Sequence, residues 1–317
     1  MVGVDSGQPW LIYWLSNALQ TLACPPLELS HDMKLKCVSY LEQCYDRTEG
    51  AFVGSPGLIC HAASSYAAVL AIVNLGIPEA YDIIDREAMR KFLHKMKNKH
   101  NFALRASTNL WKEQIARSGL SGASTQEASL PGSFVMHENG EMDMRGIYCC
   151  LVIADILGLL DEELRDGVAE FIQSCQTFEG GLSCVPFGEA HGGYNFCGFA
   201  ALTILGETHK LNLERMIEWL TKRQLSFEGG FNGRTNKLVD SCYNWWQGSV
   251  FELFDIAMEG KGNFEGEWLF DQLALQGYSL ICCQQSGGGL KDKPTTKPDY
   301  YHTNYALAGL SVAQHAS

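Results

Sequence analysis

The chain has 317 residues, 46% of them hydrophobic and 19% charged, with a formal charge of −12. This composition supplies a large core and excludes disordered, collagen-like and fibrous chains, while the acidic balance argues against non-specific binding to nucleic acid or anionic membrane. No apolar run approaches the roughly 18 residues that a bilayer span needs, and the start carries no basic stretch followed by an apolar one, so neither a membrane span nor a secretory signal is expected.

Trp10 and Trp14 open the chain on aromatics. Apolar residues at i, i+3, i+4 and i+7 (Cys37, Tyr40, Leu41, Cys44) then predict an amphipathic helix, followed by the turn TEGAF at 48–52 and a segment apolar nearly all round at 66–73. The same order of elements recurs. Met89, Phe92, Leu93 and Met96 precede PGSF (131–134) and the apolar segment 147–160; Val168, Phe171, Ile172 and Cys175 precede QTFEGGL (176–182) and 195–205. Leu213, Met216, Ile217 and Leu220 precede LSFEGGF (225–231) and 243–254, and SGGGL (286–290) precedes 302–312. The glycine pairs of the two clearest turns lie 49 residues apart.

A helix wet on one face, a glycine turn and a helix buried on every side make a hairpin whose second helix lines an inner wall. Closing the array gives an all-α fold, an α/α barrel of repeated helical hairpins. An open solenoid would want a polar outer face on its terminal repeats, which the C-terminal segment lacks. The second round carries about 33 surplus residues at 98–130, Ser/Asn/Lys-rich and without a hairpin partner. They read as a loop-like insertion or a splicing artefact within one domain spanning 1–317, in preference to a lid over the barrel.

Twelve cysteines occur without a single CxxC, and two pairs are immediate neighbours, so reduced thiols and a cytoplasmic location are expected. Chemistry gathers at one position of the repeat: Arg145, Tyr194, Cys242 and His302 each fall 12 or 13 residues after a turn residue, at the start of an inner helix. In a closed array those starts share one mouth. Asp240, Cys242 and His302 there offer carboxylate, thiolate and imidazole, a donor set suited to a catalytic Zn²⁺ with an open position, and a helix start favours thiolate. Spacing leaves the plainer assignment open, in which Cys242 packs, Asp240 caps a helix and His302 bonds at a cap. His191, Arg234, Lys237 and Tyr243 bring cations and donors that call for an anion such as a diphosphate. Inner-wall aromatics, Tyr66, Tyr148, Trp245, Trp246, Tyr301 and Tyr305 with the two N-terminal tryptophans, are either core or a pocket for a long apolar ligand.

The segments WLIYW (10–14), DMRGIYC (143–149), EAHGGYNFCG (189–198), FNGRTNKLVDSCYNWW (231–246) and DYYHTNYALAGLSVAQH (299–315) resemble the β-subunit of protein farnesyltransferase, over most of 9–97 and nearly all of 131–315. The resemblance implies a barrel that pairs with a helical α-subunit, binds Zn²⁺ and farnesyl diphosphate, and alkylates the cysteine of Cys-a-a-X proteins such as small GTPases. It assigns Asp240, Cys242 and His302 to zinc, with the fourth position receiving the substrate thiol. It assigns His191, Arg234, Lys237 and Tyr243 to a diphosphate clamp, and Trp246, Tyr148, Cys197 and Arg145 to the isoprenoid wall. Trp10, Trp14 and Tyr301 go to the pocket for the peptide's terminal residues, and Asp292 to a carboxylate linked to Mg²⁺.

Trp10 and Tyr305 fill the cavity end where a geranylgeranyl-transferring relative needs small residues, so farnesyl is expected. The alternatives are a geranylgeranyl-transferring subunit and a non-catalytic truncated isoform. Three departures from the family pattern stand out: the turn GAFVGSPGL (50–58), which puts the first hairpin's backbone in question, the surplus segment 98–130, and ends that fall short of the family's on both sides.

Overall fold

A computed structural model describes residues 5–22, 28–97, 132–258 and 268–315. In chain order the helices are α1 (Gln8–Thr21), α2 (His31–Gln43), α3 (Ala62–Leu75), α4 (Pro78–Tyr81), α5 (Arg86–Met96), α6 (Met144–Ile156), α7 (Glu162–Arg165), α8 (Val168–Ser174) and α9 (Gly192–Leu205). There follow α10 (Leu213–Thr221), α11 (Tyr243–Trp246), α12 (Gly248–Met258), α13 (Gln272–Gly277) and α14 (Tyr300–His315). Strand is confined to a two-residue pair, Tyr45–Asp46 with Ala51–Phe52, among the described residues.

The expected alternation is present. α5 buries Met89, Phe92, Leu93 and Met96 on one side, while α3 and α9, built from Ala, Ser, Gly, Leu and aromatics, are buried over most of their circumference. The inner helices α1, α3, α6, α9, α11 and α14 pack each on the next, and α14 packs back on α1, so the described elements form a closed ring. α1 was legible in the sequence only as two tryptophans; here it is the stave that joins first hairpin to last, through Asn17 Nδ2 donating to Asn304 Oδ1 at 2.8 Å.

The glycine turns fasten neighbouring repeats. Gly180 (φ +108°) and Gly229 (φ +78°) take left-handed backbone, and a Cβ on them would lie 2.1 Å from the Arg215 carbonyl oxygen and 2.7 Å from that of Ala274, at the start of the next outer helix. Only glycine permits that approach. Gly50 takes the same conformation, and Tyr45 pairs with Phe52 across it, so the first hairpin closes like the others despite its altered sequence. Across the turn, the inner helix returns a side chain to the strand-like residue thirteen positions back: Ser65, Asn195 and Thr303 accept from the backbone N–H of Phe52, Leu182 and Leu290.

Two expectations are corrected. The continuous helix over 243–254 is broken at Gln247, whose side chain donates to the Asn232 carbonyl, giving α11 and α12. The last outer helix also passes into a π-helical turn, Tyr278–Cys283, that periodicity did not reveal. The surplus segment lies outside the described residues, but its flanks meet: Lys97 bridges Phe134, and Val135 N–H donates to the Met96 carbonyl at 2.9 Å. No described helix is long and apolar enough to cross a membrane.

Candidate active site

Helix starts build the site. The first N–H groups of an α-helix lack intrahelical acceptors, and at each of five inner-wall starts a side chain supplies one. His61 Nδ1 accepts from Ala63 N at 3.1 Å, Asp143 from Arg145 N at 2.8 Å and His191 Nδ1 from Gly193 N at 3.1 Å. Asp240 accepts from Cys242 N at 2.9 Å and Asp299 from His302 N at 2.8 Å. Capping therefore sets polar side chains at the same level of successive staves, and residues far apart in sequence meet there.

Asp240, Cys242 and His302 do converge, each offering one ligand atom within 4.8 Å of the others. His302 Nε2 lies 3.3 Å from Asp240 Oδ1, while its Nδ1 lies 2.7 Å from Asp299 Oδ2, which orients the ring. Burial pulls the His302 imidazole down, but hydrogen bonds to Asp240 and Asp299 outweigh it and raise it to about 9. Burial opposes ionisation of Asp240, yet the bonds from His302 and Cys242 hold it below the ordinary carboxylate range.

Cys242 corrects an expectation. Its start-of-helix position was to favour thiolate, but burial and the Asp240 charge push the thiol well up. A thiolate and a carboxylate this close repel each other, while together with a neutral imidazole they are complementary to a divalent cation, so the donor set fits Zn²⁺. Much of the plainer assignment is present as well: Cys242 is buried, Asp240 accepts the Cys242 N–H just before α11, and His302 bonds at the α14 cap Asp299.

Beside this triad, Tyr243 Oη lies 3.0 Å from His191 Nε2. With Nδ1 engaged as the acceptor of the α9 cap, Nε2 carries the proton of the neutral ring and donates to Tyr243, whose own hydroxyl hydrogen is then free to turn outward. Burial lowers the His191 imidazole and the Arg234 charge lowers it further, so the ring stays neutral. Lys237 is exposed on the loop above, and Arg234 reaches Glu189 with Nη1 to Oε2 at 2.5 Å. Arg145 is turned to its own helix cap, Nη2 to Asp143 Oδ2 at 2.6 Å. Asp292 accepts from Lys293 Nζ and Thr296 Oγ1. Both its oxygens are engaged, so Mg²⁺ does not fit there without displacing the ammonium.

Below the mouth the aromatics close a circuit. Ring centroids step from Trp10 to Tyr66 (5.6 Å), Tyr148 (5.3 Å), Phe196 (5.3 Å), Trp246 (5.2 Å), Tyr305 (4.5 Å), Tyr301 (4.7 Å) and Trp14 (5.5 Å), then back to Trp10 (5.5 Å), touching all six inner helices. Cys197 is buried on the same wall. Trp246 Nε1 donates to Tyr301 Oη at 2.9 Å, tying the apolar circuit to the residue before His302. Sequence reasoning missed Phe196, Glu189 and Asp299; of these only Asp299 left a signal, an Asp three residues before the histidine at a helix start.

The "Prenyltransferase alpha-alpha toroid domain" family matches residues 1–317. Protein farnesyltransferase subunit beta of Pisum sativum is 33% identical over 98% of this chain and 78% of that protein, and that of Arabidopsis thaliana is 33% identical over 99% and 69%. The solved structure of Candida albicans protein geranylgeranyltransferase-I complexed with GGPP shares the fold, with a TM-score of 0.77 at 23% identity, covering 98% of this chain and 85% of that one.

Proposed function

This chain belongs to the prenyltransferase α–α toroid family and, within it, to the β-subunits of protein farnesyltransferase, the catalytic subunits of protein prenyltransferases; we propose that it pairs with an α-subunit and transfers farnesyl from farnesyl diphosphate to the cysteine thiol of Cys-a-a-X proteins. The observation that carries this reading is the union, at one mouth, of a metal-competent triad and a His191–Tyr243 pair above a closed aromatic wall. Asp240, Cys242 and His302 would hold Zn²⁺, which when bound supplies a Lewis acid that lowers the pKa of a peptide thiol. Asp299 holds His302 turned toward that ion. Tyr243 donates to a leaving diphosphate, His191 backs Tyr243, and Arg234 and Lys237 stabilise the charge that grows there. The aromatic circuit shields the isoprenoid from water, with Trp14 and Tyr301 shared between isoprenoid wall and peptide pocket.

A farnesyl rather than a geranylgeranyl donor is favoured by Trp10 and Tyr305. Tyr305 is only 2% exposed and packs tilted against Trp246 with ring centroids 4.5 Å apart, so its bulk takes up space within the aromatic circuit. The test is zinc analysis and diphosphate binding on the chain co-expressed with an α-subunit. One Zn²⁺ per chain is expected, and Cys242→Ala should lose it; stoichiometric zinc at unchanged affinity in that variant refutes the metal assignment. Lys237→Ala should cost about 1.5–3 kcal/mol in binding or turnover of farnesyl diphosphate, and no change would remove Lys237 from the clamp.

A further inference from the structure

Three cations of the mouth are paired: Arg145 with Asp143, Lys293 with Asp292 and Arg234 with Glu189. Asp143 and Asp292 have second tasks, capping α6 in one case and accepting from Thr296 in the other. Glu189 caps no helix. It projects from the loop two residues before His191, with its side chain 50% exposed, and meets Arg234 from the neighbouring repeat, 40% exposed. Both charges act on His191, the guanidinium lowering its imidazole and the carboxylate raising it, so Glu189 and the His191–Tyr243 pair share one electrostatic neighbourhood.

We propose that Glu189 is the resident counter-ion of the anion site: it occupies one edge of the Arg234 guanidinium until a diphosphate takes its place, and thereby sets how tightly that diphosphate is held and how readily it leaves. This rests on the diphosphate reading given above. A guanidinium presents five N–H donors, and Glu189 engages Nη1 through a single carboxylate oxygen, so an anion that takes Arg234 must share or displace that carboxylate. An ion pair open to water on both sides contributes little to stability and is readily exchanged. A carboxylate beside a bound diphosphate also repels it, an effect that survives where the two are close and fades with added salt. A site of this kind binds its substrate less tightly than its cations would allow, and lets the product diphosphate go.

The experiment measures inorganic diphosphate binding calorimetrically to the full chain, co-expressed with an α-subunit, as wild type, Glu189→Gln and Glu189→Asp. Glu189→Gln keeps the shape and an acceptor for Arg234 but removes the charge; it should bind diphosphate about three- to tenfold more tightly at low ionic strength, and the gain should shrink toward about onefold near 0.5 M salt. Glu189→Asp, which keeps the charge, should stay close to wild type. Binding by Glu189→Gln that is equal to or weaker than wild type overturns the counter-ion role, the weaker result making Glu189 a prop for Arg234 instead. Absence of diphosphate binding in all three proteins overturns the diphosphate reading itself along with the inference.

Discussion

Asp299 offers the sharpest perturbation because its two oxygens do separable work. Oδ1 accepts the His302 backbone N–H at 2.8 Å and caps α14; Oδ2 accepts from the His302 ring at Nδ1 at 2.7 Å. In Asp299→Asn the amide oxygen can keep the cap, since Asn and Asp serve about equally at that position. The amide nitrogen, however, is a donor, so Nδ1 must give up its proton and the neutral ring must carry it on Nε2, the atom facing Asp240 and the metal position. One charge-assisted hydrogen bond of about 1.5–3 kcal/mol is lost, and loss of such a ring-orienting partner weakens metal affinity about 10- to 100-fold. Zinc affinity would be read by competition with a chromophoric chelator, and the stability of the zinc-stripped protein by thermal denaturation. Zinc affinity should fall, and the zinc-stripped protein should lose up to about 1.5 kcal/mol of its own, because its raised imidazole loses the same partner. Zinc affinity within twofold of wild type would refute the orienting role.

Trp10→Thr opens room of an aromatic ring beside Tyr66 and Trp14, and a C20 donor gains about 0.8 kcal/mol per extra buried carbon, so the preference ratio for geranylgeranyl over farnesyl diphosphate should rise; an unmoved ratio places the isoprenoid end elsewhere. Deleting 98–130 joins flanks already bridged at Lys97 and Phe134, and closing a shorter loop changes entropy by only about 1 kcal/mol, so the variant should still assemble with an α-subunit and bind zinc; failure in a pull-down would make the segment structural. Stability should fall with alkalinity. Burial pushes Cys149 up to about 12, and burial with the Asp46 charge pushes Cys60 up to about 12, so these thiols keep protons in the folded chain that the unfolded chain sheds above about pH 8.5. Cys149 then removes about 1.4 kcal/mol of stability per pH unit through the window from 8.5 to 12 and the partly exposed Cys60 less, with Lys97, lowered to about 8 by burial, opposing by a single proton; a melting temperature equal at pH 8 and pH 10 under reducing conditions would contradict the burial.

The barrel was legible because burial on every side leaves a mark that periodicity can read: segments 66–73 and 195–205 carry almost no polar positions, whereas the outer helices keep a clean stripe. α1 was harder, since its aromatics face the ring and its neighbours are the first and last hairpins, a closure that no local pattern encodes. Gln247 looked like a helical residue because only the distant Asn232 carbonyl makes it a break. At the site, Asp240, Cys242 and His302 could be named from residue type and repeat position. Their ionisation could not, because the Cys242 thiol answers to burial and to Asp240 more than to its helix start. Glu189 was invisible for a related reason: an acidic loop residue in an acidic protein means nothing until Arg234 of the next repeat is found against it.

The contact between α1 and α14 changes what kind of array this is. A linear stack of hairpins can peel from either end, each lost repeat costing only one interface, and its stability is a sum of neighbour terms. Here the Asn17–Asn304 bond and the Trp14–Tyr301 contact join the two ends of the series, so releasing any one inner helix means breaking two interfaces at once. The same stitch delays the chemistry. Trp10 is made early in synthesis and His302 late; the triad needs α14 against α11, and the aromatic circuit is complete only when α14 has also found α1 across most of the chain's length, a long loop closure that is slow for entropic reasons. Until that encounter the nascent chain carries a half-open trough of aromatic residues, and its need for cover is greatest just before the ring shuts.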